Sequence, residues 1–181
     1  MLVIETLLRW SQTPASTARK LVALVAGMLV FLVLLPALLT WTGAALGAPP
    51  ATAPPLAAAF VIVVATSLGL SWLAWAALIQ WRIGRGTPAP MAPTQRLIVK
   101  GPYRLSRNPI QFGAILYYLG FGLLFATPGA ALFAALIALA GGSAYHRFVE
   151  ERELELRFGE EYRRYRARTP FLVPDLTRLF D

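Results

Sequence analysis

The sequence predicts an all-α integral membrane protein. It should have about four transmembrane helices, an N-terminal interfacial helix and a C-terminal cytosolic amphipathic helix. Two observations carry this expectation. Hydrophobic residues make up 57% of the 181 and charged residues only 14%, whereas soluble domains average about 25% charged. The charges are also confined. None lies between Lys20 and Arg82, and only His146 lies between Arg107 and Arg147. A spanning helix needs about 20 apolar residues to cross a hydrocarbon core of roughly 30 Å. The first gap therefore holds two spans and a turn, and the second two tight spans of about 17 residues each.

Residues 2–12 mix Leu2, Val3, Leu7, Leu8 and Trp10 with Glu5, Arg9 and Gln12, which predicts a short helix lying in the interface. No cleavable signal peptide is expected, because the apolar run begins only at Leu21. Span one is expected over residues 21–41, with a kink at Pro36 that a membrane helix tolerates. Residues 43–55 form an uncharged turn rich in Ala, Gly and Pro. Span two covers residues 56–81 and ends in Trp72, Trp75, Trp81 and Arg82, aromatic and basic anchors for a water interface. Residues 84–109 carry Gly and Pro too densely for a helix. Spans three and four follow over 110–126 and 129–145, joined by Thr127-Pro128-Gly129. A charged helix then leaves the membrane over 146–168 and stops at Pro170.

The whole chain, 1–181, reads as one membrane domain, with residues 1–81 preceding a functional half at 82–181. All 17 Lys and Arg residues lie in the N-terminal segment, the 82–107 loop or the region after 146. The positive-inside rule then places both termini and the central loop in the cytosol, so the loop and the exit helix can meet. The net charge of +8 sits beside the spans. It predicts contact with anionic membrane lipid and not with nucleic acid. The absence of cysteine excludes disulfides, thiolate metal sites and a Cys nucleophile. One histidine and scattered Glu residues give no metal-ligand spacing, and there is no P-loop, GxGxxG or nucleophile elbow. The order of oligomerisation cannot be read, although Ala130, Ala134, Ala138, Gly141 and Gly142 would permit close helix packing.

Two segments carry candidate chemistry. The first is Gly101-Pro102-Tyr103-Arg104-Leu105-Ser106-Arg107-Asn108-Pro109, continuing to Gly113. Arg104 and Arg107 suit a carboxylate, Asn108 both donates and accepts, and Pro109 suits the first turn of span three, whose N-terminus favours an anion. This is an anion-binding corner, or equally a re-entry turn whose arginines touch lipid phosphates. The second is the stripe Arg147, Glu151, Leu154, Phe158, Tyr162 and Tyr165 on the exit helix. Glu151 either pairs with Arg147 one turn away or aims at a polar ligand. Glu150 lies at the edge of the stripe, and Glu153, Glu155 and Glu160 are expected on the solvated surface. His146 stands where span four meets the cytosol, as an interfacial residue or a base.

These segments, with Gly86-Thr87-Pro88-Ala89-Pro90, Leu97-Ile98-Val99, Glu150-Glu151, Phe158-Gly159, Glu161-Tyr162, Tyr165 and Pro174, resemble the isoprenylcysteine carboxyl methyltransferase family. More broadly they resemble its phospholipid methyltransferase relatives, of the type found in bacteria and archaea. The resemblance covers about residues 84–175. It implies a multi-pass enzyme of the bacterial inner-membrane type that holds S-adenosyl-L-methionine between the loop and the exit helix. The implied cofactor contacts are Tyr103, Arg107, Asn108, Pro109, Gly113, Glu150, Glu151, Tyr162 and Tyr165. The implied catalytic candidates are Glu151, Arg147 and His146. The acceptor would be a lipophilic small molecule or a lipidated substrate. The chain departs from the pattern at Asn108, where the family usually has His, and at Gln111, where it often has Tyr. Asn cannot titrate near neutral pH, so the change moves that position from proton transfer towards binding. Some sterol reductases share a related membrane architecture, so an NADPH-dependent reductase or a non-catalytic relative is the alternative.

Overall fold

The computed structural model describes residues 2–12, 14–47 and 55–179. Every regular element among them is helical. The outer turn expected over 43–55 falls mostly outside the described residues.

Helix α1 (Leu2–Ser11) packs against the far end of the chain, at residues 146–150 and the exit helix. Helix α2 (Thr17–Leu29) starts at Ser16, whose hydroxyl accepts the Arg19 N–H at 3.2 Å. It passes through a π turn at Val30–Leu34 into α3 (Leu35–Ala45) without a break. Pro36 accounts for that turn. A proline has no N–H to donate, and its ring crowds the carbonyl four residues back, here Leu32. The backbone widens so that the Leu35 N–H reaches Val30 O. Leu32 O accepts instead from the Tyr117 hydroxyl at 2.8 Å. The irregularity expected at Pro36 thus takes the form of a π turn just ahead of it.

Helix α4 (Pro55–Arg82) is the longest single element. The loop that follows contains α5 (Pro102–Leu105), one helical turn where the Gly/Pro density predicted none. Pro102 can open it because the first helical turn needs no proline N–H. Helix α6 (Pro109–Phe125) and helix α7 (Pro128–Tyr145) follow. Thr127 caps α7, accepting the Ala130 N–H at 3.1 Å. A second π turn at His146–Glu150 joins α7 to α8 (Glu151–Arg168). The exit helix is therefore not separate. It continues α7, and it is broken at Gly159, whose φ of 51° no helix interior allows. A 3₁₀ turn at Leu176–Leu179 ends the described chain.

Helix α6 is central, packed along α4 on one side and α7 on the other, while α3 lies against α7. Small residues allow the close crossings. A Cβ on Gly69 would sit 2.5 Å from Tyr117 N and 2.8 Å from Gly113 O, and one on Gly122 would sit 2.5 Å from Ala131 Cα. Most small residues of α7 are used inside the chain: Ala130 and Ala134 are fully buried, Gly43 of α3 faces Phe133 and Ala130, and Gly142 faces Gln111, whereas Gly141 is exposed.

Among the described residues, three helical runs are long and apolar enough to cross a membrane: Thr17–Ala45, Leu56–Arg82 and the run that starts at Pro128. Helix α6, with 17 residues, is shorter. Eleven of the eighteen residues of α8 are charged, so the apolar part of the third run ends near Tyr145. This is an all-α, multi-pass membrane architecture.

Candidate active site

Between α5 and α6 the backbone turns sharply, and the C-terminal tail is strapped across it. The Arg107 N–H donates to Pro170 O at 2.9 Å, and the Asp175 N–H donates to Leu105 O at 2.9 Å. Ser106 is fully buried. Its hydroxyl accepts the Asn108 N–H at 3.1 Å and donates to Leu172 O at 2.8 Å. Asn108 Nδ2 donates to Phe171 O at 2.8 Å. The amide at 108 is thus part of the strap, a task that its fixed donor performs at any pH.

The exit helix supplies the other wall. Arg107 Nη1 meets Glu151 Oε1 at 2.5 Å, with both side chains only 9% exposed. The Tyr165 hydroxyl donates to Tyr103 O at 2.7 Å, and the Tyr162 ring is buried beside the Arg107 guanidinium. Glu151 therefore pairs across the site with the loop, and not with Arg147 one turn back. Arg147 instead lies over the Phe171 ring.

Burial sets the proton affinities. It pushes the Tyr103 phenol well above its ordinary value, helped by the Glu150 carboxylate. Tyr162 is pushed up to about 12 by burial and then by Glu151. Tyr165 is raised by burial and then by Tyr162. All three are neutral phenols at physiological pH and serve as hydrogen-bonding groups. Among the described residues eight buried side-chain atoms lack a close hydrogen-bond partner, and two of them, Arg107 Nε and the Tyr103 hydroxyl, lie at this corner. The Tyr103 hydroxyl faces the Gln80 amide, which serves as its hydrogen-bonding neighbour. Native interiors rarely leave such groups without a partner.

The expected site residues separate into three groups. Tyr103, Arg107, Asn108, Pro109, Glu151, Tyr162 and Tyr165 come together at this corner. His146 Nδ1 and Glu150 Oε2 pair with each other beside it, and exposed Arg147 lies over the Phe171 ring. Gly113 stands apart. A Cβ there would meet Gly69 O at 3.0 Å and Leu73 Cγ at 3.0 Å, so its small size serves the α4–α6 crossing. Gln111, in place of the usual tyrosine, donates to Leu139 O at 3.1 Å and to Ser143 Oγ at 3.0 Å, tying α6 to α7. Glu153 is not on the solvated surface. It is 5% exposed and takes a 2.7 Å bond from Arg157, which also holds Thr94 O. Phe171 was not expected in the site, and Ser106, inside the expected segment, was given no role. A lone aromatic after Pro170 has no periodicity to mark it, and a serine in a loop reads as turn chemistry.

An open apolar groove of about 350 Å³ lies alongside, between α1 and the end of α7. Val3, Leu7, Trp10, Pro90 and Tyr145 line it. Tyr145 stacks edge-on against His146, with ring centroids 5.6 Å apart.

The family model for phospholipid methyltransferase matches residues 58–161. That stretch runs from α4 through the Arg107 corner and the π turn into α8. No curated protein and no solved structure matches the chain. The match covers more than half of the sequence and includes both partners of the buried ion pair. With the multi-pass helical architecture, it identifies the chain as a member of the phospholipid methyltransferase family.

Proposed function

We propose that the protein is an integral membrane methyltransferase that uses S-adenosyl-L-methionine and modifies a lipophilic or membrane-associated acceptor. The observation that carries this reading is the buried Arg107–Glu151 pair with the unpartnered Arg107 Nε beside it, inside the family-matched segment. The donor set fits the cofactor: a guanidinium with a spare N–H beside a carboxylate. Arg107 and the N-terminus of α6 suit a carboxylate. Glu151 and Glu150 suit an amine or ribose hydroxyls, and Tyr162 and Tyr165 offer rings for an adenine. When bound, the cofactor supplies a methyl group activated by a positively charged sulfur.

The chain's own task is alignment, which contributes up to about 10 kcal/mol in well-oriented reactions. Arg147 is exposed and would suit an anionic group of the acceptor. A carboxylate acceptor needs no base. For an amine or thiol, His146 is placed to take the proton, with Glu150 holding its ring. The groove under α1 opens beside His146 and offers hydrocarbon a route from the bilayer. In this reading α6 is a fourth span, α1 lies in the interface, and both termini and the corner face the cytosol.

The test is a titration of the purified protein in detergent with S-adenosylhomocysteine and, separately, NADPH. A methyl-transfer screen on lipid amine, thiol and prenylcysteine acceptors follows it. Binding of S-adenosylhomocysteine that is lost in Glu151→Gln supports the proposal. Binding of NADPH alone, or of neither, overturns it.

A further inference from the structure

The strap places one aromatic ring within reach of two cations. Phe171 O is held by Asn108 Nδ2 at 2.8 Å, and the flanking carbonyls of Pro170 and Leu172 are held by the Arg107 N–H and the Ser106 hydroxyl. Three consecutive carbonyls are thus fixed, so the position of the ring is set by the backbone. The Arg107 guanidinium carbon lies 5.5 Å from the ring centroid and that of Arg147 lies 5.1 Å from it. Both distances fall in the range of cation–π attraction.

The two arginines differ in charge balance. Arg107 is buried and neutralised by Glu151. Arg147 is exposed, and among the described residues no carboxylate pairs with it. A long exposed side chain with no carboxylate partner would sample many rotamers. The ring is what limits it.

We infer that Phe171 is a positioning residue. Its ring holds Arg107 towards the methyl donor and Arg147 towards an anionic group on the acceptor. The segment from Pro170 to Leu172 is the clamp that sets the ring. The inference rests on the methyltransferase reading and lies beyond the family-matched residues, which end at 161.

The experiment compares Phe171→Leu, which removes the ring, with Phe171→Tyr, which keeps it. In the first arm, the full chain in detergent is labelled with ¹⁵N-arginine and the side-chain Nε–H relaxation of Arg107 and Arg147 is measured. Assignment uses Arg107→Lys and Arg147→Lys. The expected result is increased motion at both arginines in Phe171→Leu and parent-like order in Phe171→Tyr. In the second arm, S-adenosylhomocysteine binding and the acceptor KM and kcat are measured. Phe171→Leu should weaken binding and raise KM by about fivefold each, the size of one cation–π contact, with kcat changed less. Phe171→Tyr should stay near the parent. Unchanged arginine motion in Phe171→Leu, or equal losses in the two variants, would overturn the inference. If the parent binds no S-adenosylhomocysteine, the methyltransferase reading falls and the relaxation arm decides the role of the ring.

Discussion

Replacing Arg107 by alanine would leave the Glu151 carboxylate buried without a counter-charge. Breaking a buried pair from one side costs about 3–5 kcal/mol, so Arg107→Ala should lower the thermal midpoint in detergent markedly. The double replacement Arg107→Met with Glu151→Leu removes both charges and should recover most of that stability, while S-adenosylhomocysteine binding stays lost. A double variant that still binds would remove the pair from the site. The tyrosines give a pH prediction. Tyr103, Tyr162 and Tyr165 bind their protons more tightly in the folded state than the ordinary value near 10, with Tyr162 at about 12. Their contribution is complete below pH 10 and is lost as the pH rises from about 10 towards 12. Thermal midpoints should fall over that window, and Tyr162→Phe should flatten part of the fall. At this scale the sequence revealed which residue types gather but not their partners. Glu151 was legible as inward-facing from its stripe. Its pairing with Arg107 was not, because the partners are 44 residues apart and no spacing rule links a loop to a helix.

The two π turns act as register shifters. At the first, Tyr117 serves the carbonyl that Pro36 cannot. Tyr117→Phe should cost about 1–3 kcal/mol, the penalty of a buried acceptor left unpaired. In a Pro36→Ala background the helix regains its own N–H donor, and the same change should cost little. Unfolding of the four proteins in denaturant measures the coupling, and additive effects would separate Tyr117 from the proline. Gly69→Ala should cost about 1–3 kcal/mol by pushing α4 off α6. Gly141→Ala, with nothing within 4 Å of the added Cβ, should be neutral or stabilising by up to about 1 kcal/mol. Helix positions in the first two thirds of the chain were readable from charge gaps and proline, to within a few residues. The helical turn at Pro102–Leu105 was hidden by its glycine and proline neighbours. The continuity of α7 with α8 was hidden by the abrupt change from apolar to charged residues at 146, which reads as an end although the backbone runs on.

For the molecule as a whole, the charge distribution makes a testable statement about sidedness. The chain has no cysteine, so single cysteines report position directly. Ala126→Cys, at the turn between α6 and α7, should react with a membrane-impermeant maleimide added outside intact cells. Lys100→Cys, in the central loop, should react only after permeabilisation. The opposite pattern would invert the proposed orientation. The helices also differ in length. At 1.5 Å per residue, the 28 residues of α4 extend about 42 Å, whereas the 17 of α6 extend about 26 Å, less than the roughly 30 Å of a typical hydrocarbon core. If α6 is a span, as proposed, its shortness would be met by local thinning of the lipid around it, and Arg107 and Asn108 would stand at its cytosolic end. In the proposed orientation the bilayer would form a shallow dimple at the corner. Headgroups there would sink towards the buried ion pair, and the acyl-chain length of the surrounding lipid would tune how far an acceptor must rise to be modified.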